Sequence, residues 1–239
     1  MSVPQSLFKR SIARLDWPGI ESSLDQNGCA VLQGLFTSTQ CDQIADLYHQ
    51  EELFRTRIDM ARHGFGMGEY KYFNYPLPVG LAELRAEMYS RLAPIANRWN
   101  TLVGSDEQYP ATLAEYLERC HAAGQKRPTP LMLKYVEGDY NCLHQDLYGE
   151  QAFPLQIAIL ISRPGEDFTG GEFVMTENTS PLMRAEVAPL AQGDAVLFTV
   201  NQRPVQGKRK IRKAAMRHGV SRVRSGDRFT LGLIFHDSK

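Results

Sequence analysis

From residue 129 onward the chain consists of short β-branched and apolar runs closed by turn residues, and this pattern constrains its fold more than any other feature. The runs predict strands over 131–136, 142–148, 154–162, 171–176, 185–189, 194–200, 214–220 and 229–235. Pro164-Gly165, Gly170-Gly171, Gln192-Gly193-Asp194 and Ser225-Gly226-Asp227 punctuate them. Eight short strands of this kind point to a double-sheet jelly roll, of the cupin-like or double-stranded β-helix type, more than to an α/β sheet.

Residues 1–128 carry a helical period instead. Trp17, Ile20 and Leu24 predict a short helix ended by Gly28, followed by a brief strand over 29–32. Thr37 caps a helix carrying Cys41, Ile44, Ala45 and Tyr48. Leu81, Leu84, Met88, Leu92, Ile95, Trp99 and Leu102 predict a long helix over 79–103, which Pro94 should kink. Thr112 and Glu115 form a capping box for another helix, which Gly124 stops. The expected organisation is one structural domain, mainly β with α. A helical N-terminal region (1–128) packs on one outer face of a core spanning 129–239.

Composition excludes several classes. With 27 basic and 27 acidic residues, 43% apolar and 23% charged, this is no disordered chain, collagen-like fibre or polycationic arm. No run of 18 apolar residues predicts a membrane span. Lys9, Arg10 and Arg14 lack an accompanying apolar stretch, so no secretory signal is expected. Cys29, Cys41, Cys120 and Cys142 are scattered without CxxC spacing, as expected of reduced thiols in a cytoplasmic protein. Cys142 reads as a small core residue.

The chemistry concentrates on three strands. His144 and Asp146 are two apart on the second predicted strand, so they point to one face. His218 lies on the seventh, which neighbours the second at one mouth of an eight-stranded roll. Two histidines and one carboxylate meeting there form a facial triad suited to Fe(II), with open positions for co-substrate and dioxygen. Arg228 begins the last strand, expected beside the one bearing His218. Its guanidinium would grip a carboxylate through a bidentate fork, with Thr230 on the same face adding a hydrogen bond. His49, His63, His121 and His236 share no strand face with this set.

His144-x-Asp146, His218 and Arg228-x-Thr230 resemble the Fe(II)/2-oxoglutarate-dependent dioxygenases. His218-Gly219, Val223, Gly226 and Arg228 keep a prolyl-hydroxylase-like spacing. The segment Gly68 to Pro78 and the run Arg127 to Leu131 are similar to a prokaryotic oxygenase family described as acting on damaged, alkylated DNA. The resemblance implies that His144, Asp146 and His218 bind Fe(II), that Arg228 and Thr230 hold 2-oxoglutarate, and that Tyr135 touches it. It also implies hydroxylation of a substrate by dioxygen, with 2-oxoglutarate decarboxylated to succinate.

Three functions stay open. One is oxidative demethylation of alkylated DNA or RNA; the second is hydroxylation of a prolyl or other peptide side chain; the third is a jelly-roll binding module without turnover. Residues 203–228 carry ten basic side chains against Asp227, a net of +9, while the rest of the chain carries −9. That segment brackets His218 and is expected beside the mouth, where it would favour a polyanionic substrate. Arg55, Arg57, Arg62 and His63 precede Phe65, Tyr70, Tyr72, Phe73 and Tyr75, a pattern that can hold a strand and stack a base. The glycines at 64, 66 and 68 suggest a mobile loop acting as a lid.

Overall fold

The computed structural model describes residues 11–146, 149–179 and 182–239. The reading of Lys9 and Arg10, and the last two positions of the strand expected over 142–148, lie outside the described residues. The helices are α1 (Trp17–Asn27), α2 (Ser38–Leu47), α3 (Val79–Leu102) and α4 (Leu113–Ala122). The N-terminal strands are β1 (Cys29–Leu32), β2 (Phe54–Asp59), β3 (Gly66–Met67) and β4 (Glu69–Phe73). Then come β5 (Leu131–Tyr135), β6 (Tyr140–His144), β7 (Leu155–Leu160), β8 (Phe168–Gly170), β9 (Phe173–Asn178) and β10 (Met183–Ala188). The last are β11 (Ala195–Thr199), β12 (Gln202–Gln206), β13 (Ile211–Val220), β14 (Val223–Gly226) and β15 (Arg228–Leu233).

Two antiparallel sheets face each other. The larger runs β1-β11-β7-β15-β5-β4-β2, the smaller β10-β9-β13-β6-β3 with β12 paired to β13. All eight expected core strands are present, β6 ending at His144. The expected double-stranded β-helix is therefore observed, with three additional short strands, β8, β12 and β14, among its connections.

Strand alternation explains why the larger sheet has two useful faces. In β5, Leu131, Leu133 and Tyr135 line the space between the sheets, whereas Met132 joins the core beneath the helices. In β15, Arg228, Thr230 and Gly232 face inward, and Leu231 and Leu233 face the helices. The helical layer meets that outer face. Leu81, Leu84, Met88, Leu92, Ile95 and Trp99 of α3 are buried there, each worth roughly 1.5–3 kcal/mol on full burial. Leu102, the last in the expected stripe, is exposed at the helix end, and α3 runs unbroken from Val79 with Pro94 inside it. Thr37 with Gln40, and Thr112 with Glu115, form reciprocal capping boxes at α2 and α4.

Residues 54–73 add strands that the sequence did not announce, and the suggested loop at the glycines 64, 66 and 68 carries β3: β4 pairs with β5, and β3 pairs with β6 at Gly66↔Asn141. A Cβ at Gly66 would collide with the carbonyl oxygen of Tyr140, so glycine is there for close strand approach. The edge strand β2 carries Arg55, Arg57 and Asp59, charges that protect an edge and hide the apolar alternation by which strands are recognised. Among the described residues, no helix is long and apolar enough to cross a membrane.

The tail after β15 is clasped to the helical layer. Asp237, fully buried, accepts hydrogen bonds from Arg85 Nη2 and Tyr75 Oη at 2.9 Å and lies 2.9 Å from His121 Nε2. Beside it, His236 Nδ1 accepts from the Phe153 backbone N–H at 3.2 Å. Burial, and then the charge of Arg85, push the His236 imidazole down to about 4. The unfolded chain takes up that proton near pH 6.5 and the folded one does not, so stability is full above 6.5 and falls as pH drops towards 4. Urea unfolding is expected to show a loss of about 2 kcal/mol between pH 7 and 5 from this group. His236→Asn, whose Oδ1 can accept the same bond without titrating, should lose correspondingly less.

Candidate active site

The pairing of β6 with β13 places His144 directly opposite His218. Their ring centroids are 4.3 Å apart. Asp146 follows the end of β6 and turns back between them: Oδ1 lies 3.3 Å from His144 Nε2, and Oδ2 3.5 Å from His218 Nε2. One ligand atom from each of the three lies within 4.8 Å of the others. The His144 Nδ1–H donates to the Cys142 carbonyl at 2.8 Å, which turns Nε2 towards Asp146. His218 is buried between Phe198 and Phe173, with ring centroids 4.5 and 6.0 Å away.

Electrostatics agree with this geometry. Burial alone would raise the Asp146 carboxyl, but the hydrogen bonds and charge of His144 and His218 hold it well below the carboxylate range. Burial pulls the His144 imidazole down, and Asp146 more than offsets it, giving a net rise. At His218 burial prevails and the imidazole is lowered. Two imidazole nitrogens and an ionised carboxylate converge at a partly open position, a donor set that fits a divalent transition metal.

Arg228 and Thr230 sit across the cavity. The expectation that β15 adjoins the strand of His218 is corrected: β15 pairs with β5 and β7 in the larger sheet, and β13 lies in the smaller one. Successive strands of a jelly roll cross between sheets, so sequence neighbours become opposite walls. Arg228, 2% exposed, donates through Nη1 to Thr230 Oγ1 and lies 5.6 Å from the Tyr135 ring centroid. Burial pushes its guanidinium down to about 10, with Tyr135 and Glu172 opposing. Arg228 forms no ion pair with any described residue, and its Nε has no partner. The Tyr135 hydroxyl and Asn141 Oδ1 are likewise buried without partners. These orphaned groups fit a bound carboxylate and its surroundings. Gly171, at φ +64°, makes room for the arginine, since a Cβ there would lie 2.8 Å from Arg228 Cδ.

All six predicted site residues therefore line one cavity of about 790 Å³, counting its open mouth. Sequence reasoning missed three contributors. Asn141 enters because β6 bulges: three residues of β13, His218 to Val220, face four of β6, His144 to Asn141. Gln145 pins the segment between His144 and Asp146, its Nε2 donating to Met216 O at 2.7 Å and Asn201 Oδ1 at 2.9 Å. Met60 joins Phe65, Tyr70 and Tyr72 in a wall contributed by the N-terminal region. Cys142 is exposed, not a core residue, because the bulge turns it outward.

The basic segment is dispersed. Of its ten cationic side chains only Arg228 lines the cavity. Arg203 is buried in an ion pair with Glu177 and donates to Gln26 O at 2.9 Å. Arg222 lies over the Tyr140 ring and donates to Gly138 O, while Arg212 and Lys213 line a separate surface groove.

Comparison with known proteins gives consistent results. Residues 68–238 match the Oxygenase-NA family, described as oxygenases catalysing oxidative methylation of damaged DNA. The chain is 45% identical over 167 residues to an uncharacterised protein of Mycobacterium tuberculosis H37Rv, covering 70% of this chain and 72% of that protein. A prolyl hydroxylase of Trichoplax adhaerens, solved with a hypoxia-inducible-factor peptide, is similar in fold: TM-score 0.58 and 14% identity over 99% of this chain and 94% of that one. So is a 2OG-Fe(II) family oxidoreductase of Burkholderia pseudomallei, with TM-score 0.53 and 16% identity over 94% of each chain.

Proposed function

The chain belongs to the Oxygenase-NA family of oxygenases, and on that premise we propose that it is a non-haem Fe(II)- and 2-oxoglutarate-dependent dioxygenase that demethylates alkylated nucleic acid. The observation carrying this reading is the two-walled cavity, with a His144–Asp146–His218 donor set on one sheet and an unpaired, buried Arg228 on the other. A metal ion on the first wall and a dicarboxylate reaching the second satisfy both walls at once. In that state Fe(II), 2-oxoglutarate and dioxygen supply the oxidation, yielding succinate and CO2 with a hydroxylated substrate carbon.

The chain's own residues hold and orient. His144 presents Nε2 because its other nitrogen donates to Cys142 O, and Asp146 stays ionised between two imidazoles. Arg228 and Thr230 grip the far carboxylate, and the Tyr135 hydroxyl adds a donor. Phe65, Tyr70 and Tyr72 form an aromatic wall suited to a flat base and help to exclude water. We take residues 129–239 as the catalytic core, with the N-terminal region supplying this wall. Four unpaired cysteines support a cytoplasmic location. Hydroxylation of an N-methyl group gives a hemiaminal that collapses to formaldehyde and the repaired base.

A second reading, peptide or prolyl hydroxylation, is favoured by one observation: Arg228 follows His218 by ten residues, the prolyl-hydroxylase-like spacing. Succinate release with Fe(II) and 2-oxoglutarate separates the readings. Methylated single-stranded DNA is expected to stimulate it above methylated duplex and above proline-containing peptides. Stimulation by peptides alone would transfer the assignment to the second reading, and absence of succinate under all conditions would overturn both.

A further inference from the structure

A second groove opens beside the cavity and shares Tyr72 and Ile234 with it. Arg55, Arg127 and Lys239 line it, together with Thr56 and Thr129, and no carboxylate residue does. These cations come from three distant parts of the chain. Arg55 lies on β2, its guanidinium 4.5 Å from the Tyr72 ring centroid. It is oriented by Nε donating to Pro128 O at 3.0 Å and Nη2 to Ser238 Oγ at 3.4 Å. Its Nη1 donates to no described residue. Arg127 is tied by its backbone to Ser238, with N–H···O distances of 3.0 and 2.8 Å, and this bridge carries the side chains of Arg127 and Lys239 to the same groove. The Arg127 side chain is exposed and pairs with no described acid. Lys239 has only an exposed 3.5 Å contact with Glu150, a pair of small energy in water. Burial lowers the Arg55 pKa, and the like charge of Arg127 adds to that against the opposing influence of Tyr72 and Asp237, so the two guanidinium groups lie close enough to repel each other.

The acids near these cations are few, Asp237 acting on Arg55 and the exposed Glu150 touching Lys239, and like charges gathered in this way favour an anion that joins them. We propose that Arg55, Arg127 and Lys239 form an anion subsite for a phosphodiester of a nucleic-acid strand whose base enters the cavity past Tyr72. The proposal rests on the nucleic-acid reading of the cavity and adds where the backbone is held. Arginine forks match phosphate oxygens, and the adjoining wall of Phe65, Tyr70 and Tyr72 offers the apolar face that a base needs and an acidic side chain does not. A cavity between two sheets admits a base only out of its stack, which selects a single strand or a flipped nucleotide.

Fluorescence anisotropy of a short single-stranded oligodeoxynucleotide with one N-methylated base, titrated with the full chain across a KCl series, tests this. Binding by the wild type is expected to weaken steeply with salt. Arg127→Ala and Lys239→Ala should each reduce the log–log salt slope by about 0.7 and weaken binding equally for every sequence. Arg55→Lys, which keeps the charge and loses the fork, should weaken binding with little change in slope. Arg209→Ala and Lys210→Ala, on exposed residues lining neither the cavity nor this groove, should leave the slope unchanged. An unaltered slope in Arg127→Ala and Lys239→Ala overturns the subsite, as does a reduced slope at 209 and 210 instead. Binding of an acidic peptide in place of the oligonucleotide also overturns it. Stabilisation of the wild type by Mn(II) and 2-oxoglutarate, measured on the same preparation, separates the two levels. If it is present without oligonucleotide binding, the subsite alone fails; if both are absent, the oxygenase reading fails with it.

Discussion

Asp146→Ala is expected to abolish metal binding and turnover together, by at least about a thousandfold. Loss of an outer-shell partner alone costs 10–100-fold in comparable sites, and Asp146 supplies the carboxylate of the donor set itself. The reason is its position: it meets Nε2 of both His144 and His218, so its removal leaves two imidazoles with no anion between them. Thermal unfolding with Mn(II) gives a readout independent of chemistry. A ligand at a hundred times its Kd stabilises by about 2.7 kcal/mol, a rise of roughly 5–10 °C in Tm for a domain of this size. The wild type should show that rise and Asp146→Ala should not. An undiminished rise in the variant would place the metal elsewhere.

The triad was readable because its geometry is local. Residues 144 and 146 are two apart, and strands two and seven of a jelly roll adjoin, so pattern and topology together brought His218 to them. The helical layer was equally legible, because α3 repeats its apolar positions over about six turns and all but Leu102 of its stripe are buried. Three features were hidden for identifiable reasons. Strand β2 lies at the sheet edge, where charge replaces alternation. The bulge in β6 breaks the period of two, sending Asn141 inward and Cys142 outward, and a bulge leaves no fixed mark on sequence. The basic run at 203–228 looked like one patch, but alternation along β13 and the Arg203–Glu177 pair spread it over different surfaces. Meanwhile Arg55, Arg127 and Lys239, far apart in sequence, converge on one groove. Charge density along a chain reports charge density in space only where the chain stays on one face.

Arg228 offers the sharper test, because two roles predict opposite signs. As the anchor for the far carboxylate of 2-oxoglutarate, it forms a buried, charge-assisted pair when that ligand is bound. Truncation should raise the 2-oxoglutarate requirement about a hundredfold or more, within the range of 2–5 kcal/mol for removing one side of such a pair. Arg228→Lys should fall between, since it keeps the charge but loses the fork. Without ligand, however, the guanidinium is buried with an unpartnered Nε and no ion pair among the described residues. That arrangement is destabilising, and burial has already pushed its pKa down to about 10. Arg228→Met, similar in reach and apolar, should therefore raise the Tm of the ligand-free protein while losing the stabilisation that 2-oxoglutarate gives the wild type. A purely structural arginine would behave in the opposite way: its loss would lower the ligand-free Tm and leave the 2-oxoglutarate requirement unchanged. If Arg228 is that anchor, the cavity holds a cation at a cost to the folded state, which the arriving carboxylate of the co-substrate would offset.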